Sequence, residues 1–148
     1  MPKKFYLTTS IPYVNAAPHI GFALELVQAD AIARWERQRK RDVFFLTGAD
    51  ENGLKNVRAA EAEGLPTPQL VARNTQRFAD LGRVLNVSNS DFIRTSMPEH
   101  HAGAQALWRA CRAQDIYRKS YQGLYCVGCE TFYPPKDLVE GTCPEHRT

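Results

Sequence analysis

The sequence predicts an α/β fold: a parallel sheet built from strand–helix–strand units, followed by a small metal-stabilised module. Three observations predict it. A short aromatic and β-branched run at 3–10 passes through a proline-bracketed loop into a long helical pattern and then a second apolar run, which is the signature of a βαβ unit. Two further helical patterns and a third short apolar run extend it. Beyond residue 114 the composition changes to tyrosines, glycines, a Pro-Pro pair and three cysteines. The expected division is therefore 1–114 and 115–148.

"KKFYLTTS" (3–10) reads as the first strand and stops at Pro12. The loop 10–18 holds Pro12, Asn15 and Pro18, and a helix begins near Pro18 or His19, where proline suits a first turn. It runs to about Arg41 with Ile20, Leu24, Val27, Ala31 and Trp35 on one face. Arg34, Arg37, Arg39, Lys40 and Arg41 crowd its end; they suit either an RNA-facing patch or a solvated helix terminus with favourable dipole charges. In "DVFFLTGADENG" (42–53), Val43 to Leu46 is a continuous apolar run, as for a strand buried on both faces. "NGLKNVRAAEAEG" predicts a helix stopped by Gly64. "PQLVARNTQRFADLGRVLN" predicts another, with Val71, Phe78, Leu81 and Leu85 on one face. "DFIRTS" (91–96) predicts a third strand. "PEHHAGAQALWRACRAQ" predicts a fourth helix with Leu107, Trp108 and Cys111 inward.

The chain has 148 residues and a net charge of +3 from 19 basic and 16 acidic side chains, which tolerates a nucleic-acid partner without arguing for one. No apolar run reaches the ~18 residues of a membrane span, and no signal peptide is visible, so the expected location is cytoplasmic with no membrane partner. Of the four cysteines, Cys111 stands alone in a helical pattern. Cys126-x2-Cys129 and Cys143-x2-His146 form two short-spaced pairs that can close a tetrahedron around one structural Zn²⁺. Unligated thiols, a Cys126–Cys129 disulfide, or a fourth ligand other than His146 are the alternatives.

In an open parallel sheet, ligands bind beyond the C-terminal strand ends. The loop after the first strand leads to a helix N-terminus, which attracts phosphate. Gly21 leaves room for a nucleotide, and His19 can donate to a phosphate oxygen or to charge growing in a transition state; a plain cap or surface histidine is the alternative. Asp50 lies at the same sheet edge and can hold an ammonium group.

"TTSIPYVNAAPHIG", "QADAIARW", "FFLTGADENG", "SDFIRTS", "DIYRKSYQGLYCVGCETFY" and "LVEGTCPEH", in that order, resemble the methionyl-tRNA synthetase family of class I aminoacyl-tRNA synthetases, whose HIGH signature is His19-Ile20-Gly21-Phe22 here. The resemblance covers essentially the whole chain. It implies the first half of a Rossmann-like, HIGH-type nucleotide-binding domain followed by the zinc knuckle of a connective insertion. It implies that Ile11, Tyr13 and Asp50 bind methionine, and that Pro12, Asn15, His19, Gly21 and Phe22 meet ATP, with His19 and Gly21 catalytic. Cys126, Cys129, Cys143 and His146 would hold zinc. The reaction would join methionine to ATP, accompanied by Mg²⁺, and then to initiator and elongator methionine tRNA. Phe22 and Asn52 stand where the family carries histidines. The second half of the nucleotide fold, with its KMSKS loop, and the anticodon-binding helices do not follow, so the expectation is an N-terminal portion completed by further chain or by a partner. The alternative is a catalytically incomplete zinc-stabilised module that binds tRNA or a partner.

Overall fold

The computed structural model describes residues 2–147. Its elements are β1 (Lys4–Thr8), α1 (Ile20–Gln38), β2 (Asp42–Ala49), α2 (Leu54–Glu63), α3 (Thr67–Val84), β3 (Asp91–Arg94), α4 (Pro98–Ala110), β4 (Leu124–Cys126) and β5 (Thr131–Tyr133). The chain divides into two compact units, Met1–Ala104 and Gln105–Thr148, so the break between them falls inside α4. Among the described residues, no helix is long and apolar enough to cross a membrane.

In the first unit, β1, β2 and β3 form a three-stranded sheet in that order, every pair parallel. The register sets Leu7 against Phe45 and Ala49 against Arg94. α1 covers one face. Ala29 and Ala33 pack on Phe45, with Leu7 and Val43 beside them. A second cluster joins Val14, Phe22, Leu26, Ala49, Val71 and Phe78. Both rest on the removal of apolar side chains from water.

Which face of α1 is buried differs from the sequence reading. Phe22, Leu26, Ala29, Asp30, Ala33 and Glu36 turn inward. The stripe of Ile20, Leu24, Val27, Ala31 and Trp35 faces out, with Ile20 at 85% and Trp35 at 58% exposure. The helix carries two apolar stripes, and the one with small alanines permits close approach to the sheet. β2 also departs from a strand buried on both faces. Phe44 is exposed and stacks on Tyr6 with ring centroids 5.9 Å apart, on a face that α1 does not cover.

α2 ends as expected: Gly64 takes the left-handed conformation (φ 66°) that a helix stop requires. α3 buries Val71 and Phe78 as expected, and Leu70 with them. α4 does not: none of its residues is buried, Leu107 is 72% exposed, and Trp108 and Cys111 are exposed as well. Amphipathic spacing creates a face, but a face is buried only where another element meets it.

In the second unit, β4 and β5 form an antiparallel hairpin pairing Leu124 with Tyr133 and Cys126 with Thr131. Among the described residues of this unit, only Cys126 and Cys143 are buried.

Candidate nucleotide site and metal centre

The loop from β1 to α1 is pinned at several points. The Thr9 N–H donates to the Leu46 carbonyl (3.2 Å), and the Thr9 hydroxyl lies 2.7 Å from that of Thr47. The Glu25 carboxylate accepts the Ser10 N–H (2.6 Å) and hydroxyl (2.8 Å). The Asp50 N–H donates to the Pro12 carbonyl at 2.9 Å. Val14 is fully buried, and the Asn74 amide donates to its carbonyl at 2.7 Å. Sequence reasoning missed Glu25 and Asn74. Asn74 carried one signal, an amide on the inward face of an amphipathic helix.

His19 is the N-cap of α1. Its Nδ1 accepts the Gly21 N–H at 3.0 Å. An accepting Nδ1 carries no proton, so in the neutral ring the proton sits on Nε2. The exposed ring therefore presents Nε2–H as a donor. A Cβ at Gly21 would lie 2.9 Å from His19 Cε1, so glycine is needed there first to admit the capping imidazole. The two readings of His19, cap and donor, describe two nitrogens of one ring.

A cavity of about 500 Å³ opens beside this loop and brings together Pro12, Tyr13, Asn15, His19, Phe22 and Lys55. Lys55, in the first turn of α2, lies with Nζ 4.9 Å from the Tyr13 ring centroid. A lysine in a solvent-facing helical pattern gives no sequence signal of such a position. Phe22 reaches the cavity only from beneath. It is 5% exposed and packs edge-on against Phe78, centroids 5.3 Å apart. Its ring is core structure, with a face already occupied by Phe78. Ile11 and Asp50 do not line this cavity. Asp50 is a bridge partner of Tyr13 at the end of β2.

The Asp50 carboxylate accepts from the Asn52 N–H (3.1 Å) and the Thr95 hydroxyl (3.2 Å) on Oδ1. The Asn52 side chain donates to the Thr95 carbonyl at 3.0 Å, holding the ends of β2 and β3 together. That role needs an amide donor and no titrating group. Next to it, Glu51 is buried against Arg94, Thr75 and Ser96. Burial pushes its carboxyl up, but hydrogen bonds from Ser96, Thr75 and Arg94 outweigh this and hold it below the ordinary value.

Several side chains at the basic end of α1 are engaged within the fold. Arg34 bonds Asp30 (2.6 Å) and the Asn86 carbonyl (2.6 Å), and Arg37 bonds the Ser88 hydroxyl (2.5 Å) and carbonyl (2.9 Å). Arg41 pairs with Glu36 at 3.0 Å. These guanidinium groups fix segment 86–88 and the helix end.

In the second unit, Cys126, Cys129, Cys143 and His146 place one ligand atom each within 4.8 Å of one another. All four cysteines of the chain are free thiols, which removes the disulfide alternative. The Cys129 and Cys143 sulfurs are 3.5 Å apart, and His146 Nδ1 lies 3.2 Å from Cys129 Sγ and 3.7 Å from Cys126 Sγ. Tetrahedral zinc–sulfur and zinc–nitrogen bonds imply ligand separations of about 3.5–3.8 Å; the donors here lie between 3.2 Å and 4.8 Å from one another, gathered around one point where such an ion would sit. Backbone N–H groups of Cys129 and His146 donate to Cys126 and Cys143 sulfur, both at 3.5 Å, and the Tyr133 hydroxyl donates to Cys129 at 3.4 Å. A Cβ at Gly128 would lie 2.5 Å from the His146 ring, so this glycine makes the space the imidazole fills. Burial pushes the Cys143 thiol up, but the His146 N–H, the His146 ring and Cys126 draw it down to about 6.

With this geometry in place, residues 5–148 match the family model described as tRNA synthetases class I (M). The chain belongs to this family. It is 49% identical over 130 residues to the methionine–tRNA ligase of Rhizobium meliloti, covering 87% of this chain and 25% of that relative. It is 47% identical over 143 residues to the methionine–tRNA ligase of Mycobacterium tuberculosis, covering 95% of this chain and 28% of the relative. Among solved structures it superposes on M. tuberculosis methionyl-tRNA synthetase in complex with methionyl-adenylate. The TM-score is 0.90 and the identity 46%, across 99% of this chain and 30% of that one. The chain thus spans between a quarter and a third of the length of these family members.

Proposed function

We propose that this chain supplies the methionine- and ATP-binding portion of a methionine–tRNA ligase. The remaining length that its relatives carry would complete the site. The observation that supports this most directly is the agreement with the adenylate-bound M. tuberculosis structure across 99% of the chain, in a fold whose β1–α1 loop is pinned around a cavity of about 500 Å³.

In this reading the methionine ammonium pairs with Asp50, and Ile11 and Tyr13 border the amino acid. ATP, with the Mg²⁺ that accompanies it as substrate, lies over Pro12, Asn15 and the α1 N-terminus. The methionine carboxylate attacks the α-phosphate, pyrophosphate leaves, and methionyl-adenylate forms. A ribose hydroxyl of the tRNA then takes the methionyl group. His19 contributes Nε2–H to the phosphate oxygens as their charge redistributes, and Gly21 keeps the imidazole in that tautomer by donating to Nδ1. Catalysis here is positioning and electrostatics, with no covalent enzyme intermediate. Cys126, Cys129, Cys143 and His146 would hold one Zn²⁺, which supplies structural cross-linking of the second unit and no chemistry.

The test is methionine-dependent exchange of pyrophosphate into ATP. Two zinc-loaded proteins are compared: the 148-residue chain, and the same residues joined to the remaining length of the M. tuberculosis relative. Exchange in the joined protein, reduced roughly 10²–10³-fold by His19→Ala as for a lost transition-state donor, is the expected result. No exchange, with the joined protein folded and zinc-loaded, would overturn the assignment and leave a binding module. Exchange by the 148-residue chain alone would show that the missing length is dispensable for activation.

A further inference from the structure

Two adjacent carboxylates end β2, and their surroundings are opposite. The Glu51 side chain is 0% exposed. Its Oε1 accepts from Thr75 Oγ1 (2.6 Å) and Arg94 Nε (2.8 Å), and its Oε2 accepts from the Ser96 hydroxyl. Asp50 is only partly buried, and no cation pairs with it among the described residues. Thr95, itself 6% exposed, links the two. Its hydroxyl oxygen accepts the Glu51 N–H at 2.8 Å and lies 3.2 Å from Asp50 Oδ1. A hydroxyl has one proton. Facing a carboxylate acceptor, that proton can only be directed to Asp50, so the hydrogen bond also fixes the carboxylate plane. The Asn52 N–H completes the hold on the same oxygen at 3.1 Å.

Arg94 is the guanidinium on the neighbouring strand, one register position from Asp50's level, since it pairs with Ala49. Side chains alternate along a strand, so Arg94 shares its face with Ala49 and Glu51, while Asp50 and Thr95 share the other. Building on the methionine-activating reading above, we propose that Thr95 is a positioning residue for ammonium recognition. Thr95 occupies Oδ1 and turns Oδ2 outward. Thr95 does not touch substrate in this scheme and acts through Asp50.

A merely structural role would weaken every ligand of the site alike, whereas this one discriminates by the amine. In the joined protein, the dissociation constants of methionine and of 4-(methylthio)butanoic acid, the same thioether acid without its amine, are compared by calorimetry. Thr95→Val should weaken methionine about 10- to 100-fold, the share of one hydrogen bond to a charged group. The amine-free acid and the KM for ATP should stay within about twofold. Thr95→Ser, which keeps the hydroxyl, should restore methionine binding. Equal weakening of both ligands by Thr95→Val, or unchanged methionine affinity, would overturn the proposal. Failure of the unsubstituted joined protein to bind methionine would overturn the functional reading itself, and the proposal with it.

Discussion

The two units of this chain are held together by different physics. The first closes a sheet with a helix and buries Phe45, Leu26, Leu70 and Val14 almost completely. The second buries only two cysteines among its described residues, and Tyr117, Tyr121, Tyr125 and Phe132 lie largely in the open. Its sulfurs and imidazole converge instead on one point. A module of this size cannot bury enough apolar surface to offset chain entropy. The first unit should therefore answer to cavities and the second to its metal.

The largest expected effect breaks the second unit alone. Chelation, or Cys126→Ser, should unfold residues 115–147 while leaving amide protection of β1–β3 intact, because structural zinc sites carry roughly 10–16 kcal/mol of apparent binding energy. Full metal content with native exchange rates in the Ser variant would contradict this. Next comes Phe22→Ala, which should cost the first unit about 3–5 kcal/mol, measured by denaturant unfolding. A cost well under 1 kcal/mol would mean that its ring is not the core element the contact with Phe78 implies. Gly128→Ala should then lower metal affinity about 10–100-fold in a chelator competition, since the added methyl meets the His146 ring; unchanged affinity would place the ligand ring elsewhere.

Acid sharpens the contrast by direction. Glu51 and Asp30 are both held below their ordinary values of 4.5 and 3.8. A depressed carboxyl stabilises the fold fully above its unfolded value and loses that contribution as pH falls through its folded value. The first unit should thus keep its stability from neutrality down to about pH 4.5 and lose it progressively below, with Glu51→Gln flattening that dependence. The smallest effect belongs to α4. Leu107→Ser should change stability by no more than about 0.5 kcal/mol, as befits a side chain that is 72% exposed. A larger loss in thermal unfolding would reveal a partner surface on that helix.

Much of this was readable in the chain because it is written at short range. The order of strands and helices follows from local apolar spacing. Gly64 stops α2 because only its own dihedral matters. The ligand set Cys126, Cys129, Cys143 and His146 is legible because each pair sits within one turn. The opening loop was legible as a pinned turn before a helix N-terminus, from Pro12, Pro18 and its place after a strand.

What the sequence could not decide is which distant surfaces meet. α1 offers two apolar stripes of similar strength, and only the small residues Ala29 and Ala33 meeting Phe45 select between them. Phe22 reads as a nucleotide contact in the motif, and only the fold shows that its ring also packs on Phe78, far along the chain, while it lines the cavity. Glu51 and Arg94, 43 residues apart, look like unrelated surface charges until β2 and β3 pair. Even the His19 tautomer is a matter of geometry, since spacing supplies the ring and the helix N-terminus chooses the nitrogen. Periodicity is a property of neighbours along the chain. Packing chooses among the faces that periodicity offers, and that choice exists only once the tertiary structure has formed.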